Sequence, residues 1–188
     1  MSTPAFIILA VIVFLILYLI GAYNSLIAAR NQTDEALSDI DVQLKRRYDL
    51  IPNLVEAVKG YAKQEKDVLE NVTKARADAI AAGDKGRHAQ EKAENMLTGA
   101  LRSVFAVAEN YPDLKSSANF MQLSGELTDT ENKIESARRF YNTNVRDYNT
   151  RMEVFPTNIF ARMMGFIKKE LFILEDAAAK EAVKVSFE

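Results

Sequence analysis

The chain has 188 residues, a formal net charge of −2, 27% charged and 48% hydrophobic residues, and no cysteine. That length leaves one ordinary domain beside a membrane segment, and the missing cysteines exclude disulfides, thiolate metal sites and cysteine nucleophiles together. No basic patch or aromatic-basic motif argues for nucleic acid. With 7 glycines, 4 prolines and little β-branched alternation, the chain reads as all-α: an N-terminal transmembrane helix continuing into a bundle of long antiparallel amphipathic helices.

After a short segment, residues 1–4, the stretch Ala5–Tyr23 runs about nineteen residues without a charge. At ~1.5 Å per residue it spans ~28 Å, close to the hydrocarbon thickness of a bilayer. Phe6, Ile7, Ile8, Leu9, Val11, Ile12, Val13, Phe14, Leu15, Ile16, Leu17, Leu19 and Ile20 cover every face and leave no polar stripe. The run predicts a single-pass membrane anchor. A cleaved signal would have a basic leader and a shorter core, and a central core helix would have comparably apolar partners; neither fits. No basic residue precedes the run, whereas Arg30, Lys45, Arg46 and Arg47 follow it. This bias predicts a cell-membrane protein with its N-terminus outside and the bulk of the chain in the cytoplasm.

Residues 24–165 are expected to form the bundle. Leu37, Ile40, Leu44, Tyr48, Ile51, Val55, Val58, Ala62, Leu69 and Val72 advance by three and four, interrupted only at Glu65, with a mean step of 3.5 residues. That is the seam spacing of a left-handed bundle or coiled coil. Pro52 lies inside this row and predicts either a kinked rod or a break with Asp49 capping a new helix. The glycine pair in Ala82-Gly83-Asp84-Lys85-Gly86 marks a turn. A helix over about 88–110 follows, with Ala93, Leu97, Leu101, Val104, Ala108 and Tyr111 on one face, and Pro112 ends it. A third stretch covers 114–153, bears Ile134, Arg138, Tyr141, Val145, Tyr148, Met152 and Phe155 in a row, and has Gly125 as a possible bend. Phe155-Pro156 closes it, and Thr157 or Asn158 could cap a short last helix. Residues 166–188 read as a loosely ordered tail. Phe155, Phe160, Met163, Met164, Phe166 and Phe172 give this end more apolar side chains than a solvent tail needs. They could dock on the bundle's own end, or contact the membrane or a partner.

No convergent set of nucleophile, base or metal ligands stands out, and no cofactor or metal site is expected. His88 is the only histidine and reads as a solvated residue after the glycine turn, which denies partners to a histidine zinc site or a Ser-His-Asp triad. Gly83 and Gly86 lack P-loop spacing, and the Glu-x-x-His pairs of a di-iron bundle are missing. In the charged stretch 39–49, Asp41 and Lys45, and Gln43 and Arg47, stand four apart as ordinary helix-surface pairs. Arg138 is the exception, a cation in an apolar row that calls for a carboxylate. Asp41, beside Ile40, is the expected partner in a register-setting pair.

Tyr23-Asn24-Ser25-Leu26, Arg30-Asn31 and the run from Asp39 to Val55 (DIDVQLKRRYDLIPNLV) closely resemble the LemA family. The resemblance continues through Val58-Lys59-Gly60-Tyr61, Arg138-Arg139-Phe140-Tyr141-Asn142, Phe155-Pro156 and the closing Lys184-Val185-Ser186-Phe187, and so covers essentially the whole chain. Leu37 stands where many members carry an aromatic. The resemblance implies an N-terminal anchor with a cytoplasmic body, relatives that include a protein of magnetosome membranes, and genomic company with membrane zinc proteases. It carries over no active-site residues.

The function expected is therefore a non-enzymatic, membrane-anchored scaffold or interaction protein that forms homo-oligomers. The alternative is an adaptor or regulator of a membrane zinc protease, and a remote third is a hydrolase with an unrecognised site. No small-molecule substrate is identified.

Overall fold

The computed structural model describes residues 3–173, and every regular element among them is helical. They are α1 (Thr3–Tyr61), α2 (Lys66–Ala82), α3 (Arg87–Glu109), α4 (Pro112–Lys115), α5 (Ala118–Glu153) and α6 (Thr157–Met163). The chain forms two compact units, both of which draw on α1 and α5. Among the described residues, the anchor-bearing unit takes in residues 3–41 with Ser136–Leu171, and the bundle unit Val42–Glu135 with Phe172 and Ile173.

In the bundle unit, Ile51, Leu54 and Val58 of α1 share one core with Leu69, Val72 and Ala79 of α2, and with Leu97, Leu101 and Val104 of α3. Leu114 of α4 and Phe120 and Leu127 of α5 complete it. Burial of each large aliphatic side chain is worth about 1.5–3 kcal/mol, so this seam holds the unit together. α2 and α3 pack directly on each other. The turn between them is a short 3₁₀ segment, Gly83–Lys85, followed by Gly86 at φ 96°, a left-handed conformation that a side chain would strain. Tyr111 leaves the helical region at φ −125°, and Pro112 restarts the chain at the first position of α4.

Two points about α1 are decided. Of the two readings of Pro52, the continuous rod holds and the break does not: α1 runs unbroken through Pro52 to Tyr61, so Asp49 caps no new helix. Proline supplies no amide hydrogen, which leaves the Tyr48 carbonyl without its usual helical donor. Arg76 of α2 replaces it: its Nε–H donates to that oxygen at 2.6 Å. Arg76→Met should therefore cost about 1–3 kcal/mol, the penalty for a carbonyl left without a donor. In a Pro52→Ala background the loss should shrink to within error, because alanine at that position supplies the missing N–H; denaturant unfolding of the four proteins tests the cycle.

The second point is a turn the apolar row concealed. The helix ends at Tyr61, the chain reverses through residues 62–65, and α2 begins at Lys66. Glu65 N–H donates to the Ala62 carbonyl at 3.1 Å, and the Tyr111 hydroxyl ties Glu65 to the end of α3 at 3.2 Å. The turn takes about one helical repeat of chain, so the spacing of three and four survives it without glycine or proline. The single gap at Glu65 was its only trace.

In the anchor-bearing unit, Leu26, Ala29, Thr33, Ala36 and Ile40 form the buried face of α1, while Tyr141, Val145 and Tyr148 are the buried residues of α5. The buried Thr33 hydroxyl is satisfied by the Ala29 carbonyl at 2.8 Å. α5 passes Gly125 without interruption and ends at Glu153. After Phe155-Pro156, Pro156 rather than Thr157 or Asn158 precedes α6, with no side-chain cap.

The segment 166–171, expected as loose tail, has no regular secondary structure but is hydrogen-bonded to α5. The Tyr148 hydroxyl donates to the Ile167 carbonyl at 3.1 Å and the Tyr141 hydroxyl to the Glu170 carbonyl at 2.9 Å. Asn149 makes a two-way pair with the Lys169 backbone at 2.9 and 3.0 Å. The remainder of the expected tail, 174–188, lies outside the described residues, as do Met1 and Ser2.

Burial raises the Tyr148 phenol above its ordinary value, with Asp34 adding to the rise and Arg30 opposing it. A raised acid contributes stability that is intact below pH ~10 and lost as pH climbs through the folded-state value, because the phenolate no longer donates to Ile167. Amide exchange over 166–170, normalised to the intrinsic rate at each pH, should therefore accelerate above pH ~10 in the wild type. In Tyr148→Phe it should already be fast at neutral pH, with a flatter pH response.

Candidate functional site

Three surfaces carry the chain's polar and apolar specialisation. The first is buried in the bundle unit. Arg47, on the core side of α1, is fully enclosed together with Glu94 of α3. Its Nη2 pairs with Glu94, and its Nη1 reaches Glu131 of α5 at 2.5 Å and Thr98 at 3.3 Å. The Tyr48 hydroxyl donates to the second Glu94 oxygen. One guanidinium thus joins three helices, and its planar fork suits two carboxylates as an ammonium would not. Both nitrogens of the Arg47 fork and both Glu94 oxygens find partners inside the cluster, which offsets the cost of enclosing the charges.

This cluster takes the role assigned in the sequence to Asp41 and Arg138. Asp41 is exposed on α1 and engages in no ion pair or hydrogen bond among the described residues. Arg138 is half-buried on α5 and makes other contacts. Spacing alone could have pointed to Arg47, which stands three after Leu44 and four before Ile51. Glu94 was equally legible, seven residues before Leu101 and fourteen before Ala108 on one heptad row.

The second surface is the anchor. Phe6, Ile7, Ile8, Leu9, Val11, Ile12, Val13, Phe14, Leu15, Ile16, Leu17 and Ile20 are each 47–68% exposed, and only Leu19 is partly covered. Among the described residues, none of the most apolar window of α1 is buried. At its end α6 comes alongside. The Tyr18 hydroxyl meets Thr157 Oγ1 at 3.3 Å, and the Tyr23 and Phe166 rings stand edge to face at 5.9 Å. Phe160, Met164 and Phe166 face Leu19, Ala22, Tyr23 and Leu26 across a narrow cleft. The apolar residues predicted for this end therefore divide. Phe160 and Phe166 turn toward α1, Phe155 and Met163 turn outward, and Met164 does both. Phe172 is buried in the bundle unit with the Arg87 guanidinium 5.3 Å above its ring.

The third surface is a groove of about 840 Å³ on α1 and α2, with Val55, Leu69 and Ala77 as its floor and Lys59, Lys63, Lys66 and Lys74 among its walls. Glu70 is the one acidic residue lining it. His88 is exposed beside Glu91 at the start of α3, and among the described residues no three His, Cys, Asp or Glu side chains converge on a metal position.

The model of the LemA family matches residues 36–187. Protein LemA of Metamycoplasma hominis is 29% identical over 169 residues, which cover 89% of this chain and 75% of that protein. Magnetosome protein MamQ 2 of Paramagnetospirillum magneticum is 25% identical over 189 residues, 88% of this chain and 69% of its own length.

Proposed function

This chain belongs to the LemA family, and from that premise we propose that it is a membrane-anchored helical bundle that works by binding, chiefly to further copies of itself, and not by catalysis. The observation that carries the reading is the bare apolar start of α1, continuous with a helix whose later turns build the bundle core. A bundle tethered this way meets its neighbours at high effective concentration, so weak lateral contacts suffice for assembly. Basic residues beside the end of the anchor, Arg30, Arg151, Arg162 and Lys168, support a cytoplasmic bundle. Crosslinking in native membranes through a single introduced cysteine tests self-association, since the natural chain has none. Ladders beyond the monomer at low expression are expected, and a strict monomer at high density overturns the proposal.

The lysine-rimmed groove favours a second reading, an adaptor that receives an acidic segment of another membrane protein such as a protease. Reversing Lys59, Lys63 and Lys66 to glutamate should then abolish a heterologous crosslink while leaving self-association intact.

A further inference from the structure

We propose that the α5–α6 tip is a second membrane contact, dipping its apolar side chains into the same leaflet that α1 crosses; this rests on the anchor reading above. Phe155, Ile159, Met163 and Ile167 are 80%, 51%, 77% and 79% exposed, a concentration of bare apolar surface on a short helix and its flanks. Their height along α1 is fixed within the unit. Thr157 is hydrogen-bonded to Tyr18, five residues before the end of the apolar run, which places the tip ~7–8 Å inside that end. Interfacial apolar faces sit about 5–10 Å into the headgroup and acyl boundary, so the depth is the one expected of such a contact.

Charge is sorted along the same axis. Arg151 reaches Ser25 at 2.8 Å and Lys169 pairs with Asp34, so these two cations reach α1 beyond the end of the apolar run, while Arg162, exposed on α6, is a cation at the tip itself whose long side chain can snorkel to the headgroups. Backbone groups at the tip are largely satisfied internally, as a lipid environment requires: Val154 N–H bonds the Thr150 carbonyl at 3.1 Å and Asn158 N–H the Val154 carbonyl at 2.9 Å. A bilayer is favoured over a protein partner because the surface is continuous with the lipid-facing helix. Two attachment points would fix the rotation of the anchor-bearing unit in the membrane.

The test uses the full chain in nanodiscs of phosphatidylcholine and phosphatidylglycerol, with one environment-sensitive fluorophore on Phe155→Cys, Met163→Cys, Phe14→Cys or Ile80→Cys. Lipids carrying a shallow or a deep nitroxide serve as quenchers. The proposal expects at least twofold stronger quenching at Phe155→Cys and Met163→Cys than at the bundle control Ile80→Cys, strongest with the shallow probe. The anchor site Phe14→Cys should respond most to the deep probe. If Phe14→Cys is quenched while both tip sites match Ile80→Cys, the second contact is refuted and the anchor stands. If Phe14→Cys is not quenched, the anchor reading fails and takes the proposal with it. Tip sites shielded from aqueous iodide yet unquenched by lipid indicate a protein cover, which also overturns it. Both substituted tip side chains are more than three-quarters exposed, and an unchanged circular dichroism spectrum verifies folding.

Discussion

Arg47→Met is expected to lower the stability of the bundle unit by about 3–5 kcal/mol, the cost of removing one partner from a buried ion pair. The variant leaves the Glu94 carboxylate enclosed, with only the Tyr48 hydroxyl to receive it. Glu131 suffers less, because its side chain is 42% exposed and can rehydrate. For a chain of this size the loss corresponds to a fall of roughly 6–20 °C in the unfolding midpoint, at about 2–4 °C per kcal/mol. Removing both charges in Arg47→Met/Glu94→Leu should recover most of that stability, since well-packed apolar replacements of buried pairs are often neutral or stabilising. Thermal unfolding followed by circular dichroism gives the comparison. A single Arg47→Met variant that melts with the wild type would mean the cluster carries no structural weight.

The second large effect concerns the anchor. Its thirteen Leu, Ile, Val and Phe residues contribute roughly −4 to −8 kcal/mol to insertion, at about −0.3 to −0.6 kcal/mol each. A lysine at the centre of the span adds about 2.5–3.5 kcal/mol. Val13→Lys alone should leave a net driving force and most of the protein in the membrane. Val13→Lys/Phe14→Lys adds about 5–7 kcal/mol, enough to cancel insertion, and should move the protein to the soluble fraction. Alkaline extraction of isolated membranes reads both. A double variant that stays membrane-embedded would show that some other part of the chain holds it there.

Much of this architecture was legible where the chain used large apolar residues. The anchor, the turn at Gly83–Gly86, the face of α3 and the stop at Phe155-Pro156 all announce themselves through size, charge or backbone restriction. Small and polar residues on the same seams leave no such mark. Ala36, not the larger Leu37, is the fully buried member of its turn, and Arg47 is enclosed while its neighbour Tyr48 is only half-buried. Reading periodicity by hydrophobicity selects the bulkier candidate, although helices that approach closely place alanine at the contact and place an arginine there when carboxylates await it. Glu94 and Glu131 lie 47 and 84 residues away from Arg47, so no local pattern pairs them. The turn at 62–65 escaped because it preserves the heptad phase, and the binding of 166–170 to α5 because it depends on two tyrosine hydroxyls and an asparagine.

The most direct measurement asks on which side of the membrane each end of α1 lies. Single cysteines at Thr3 and Lys59 in the otherwise cysteine-free chain can be probed in intact cells with a membrane-impermeant maleimide. A helix that carries its bundle into the cytoplasm predicts labelling of Thr3→Cys from outside and of Lys59→Cys only after lysis. Labelling of both, or of neither, before lysis would contradict a membrane-crossing α1, and the reverse pattern would contradict a cytoplasmic bundle.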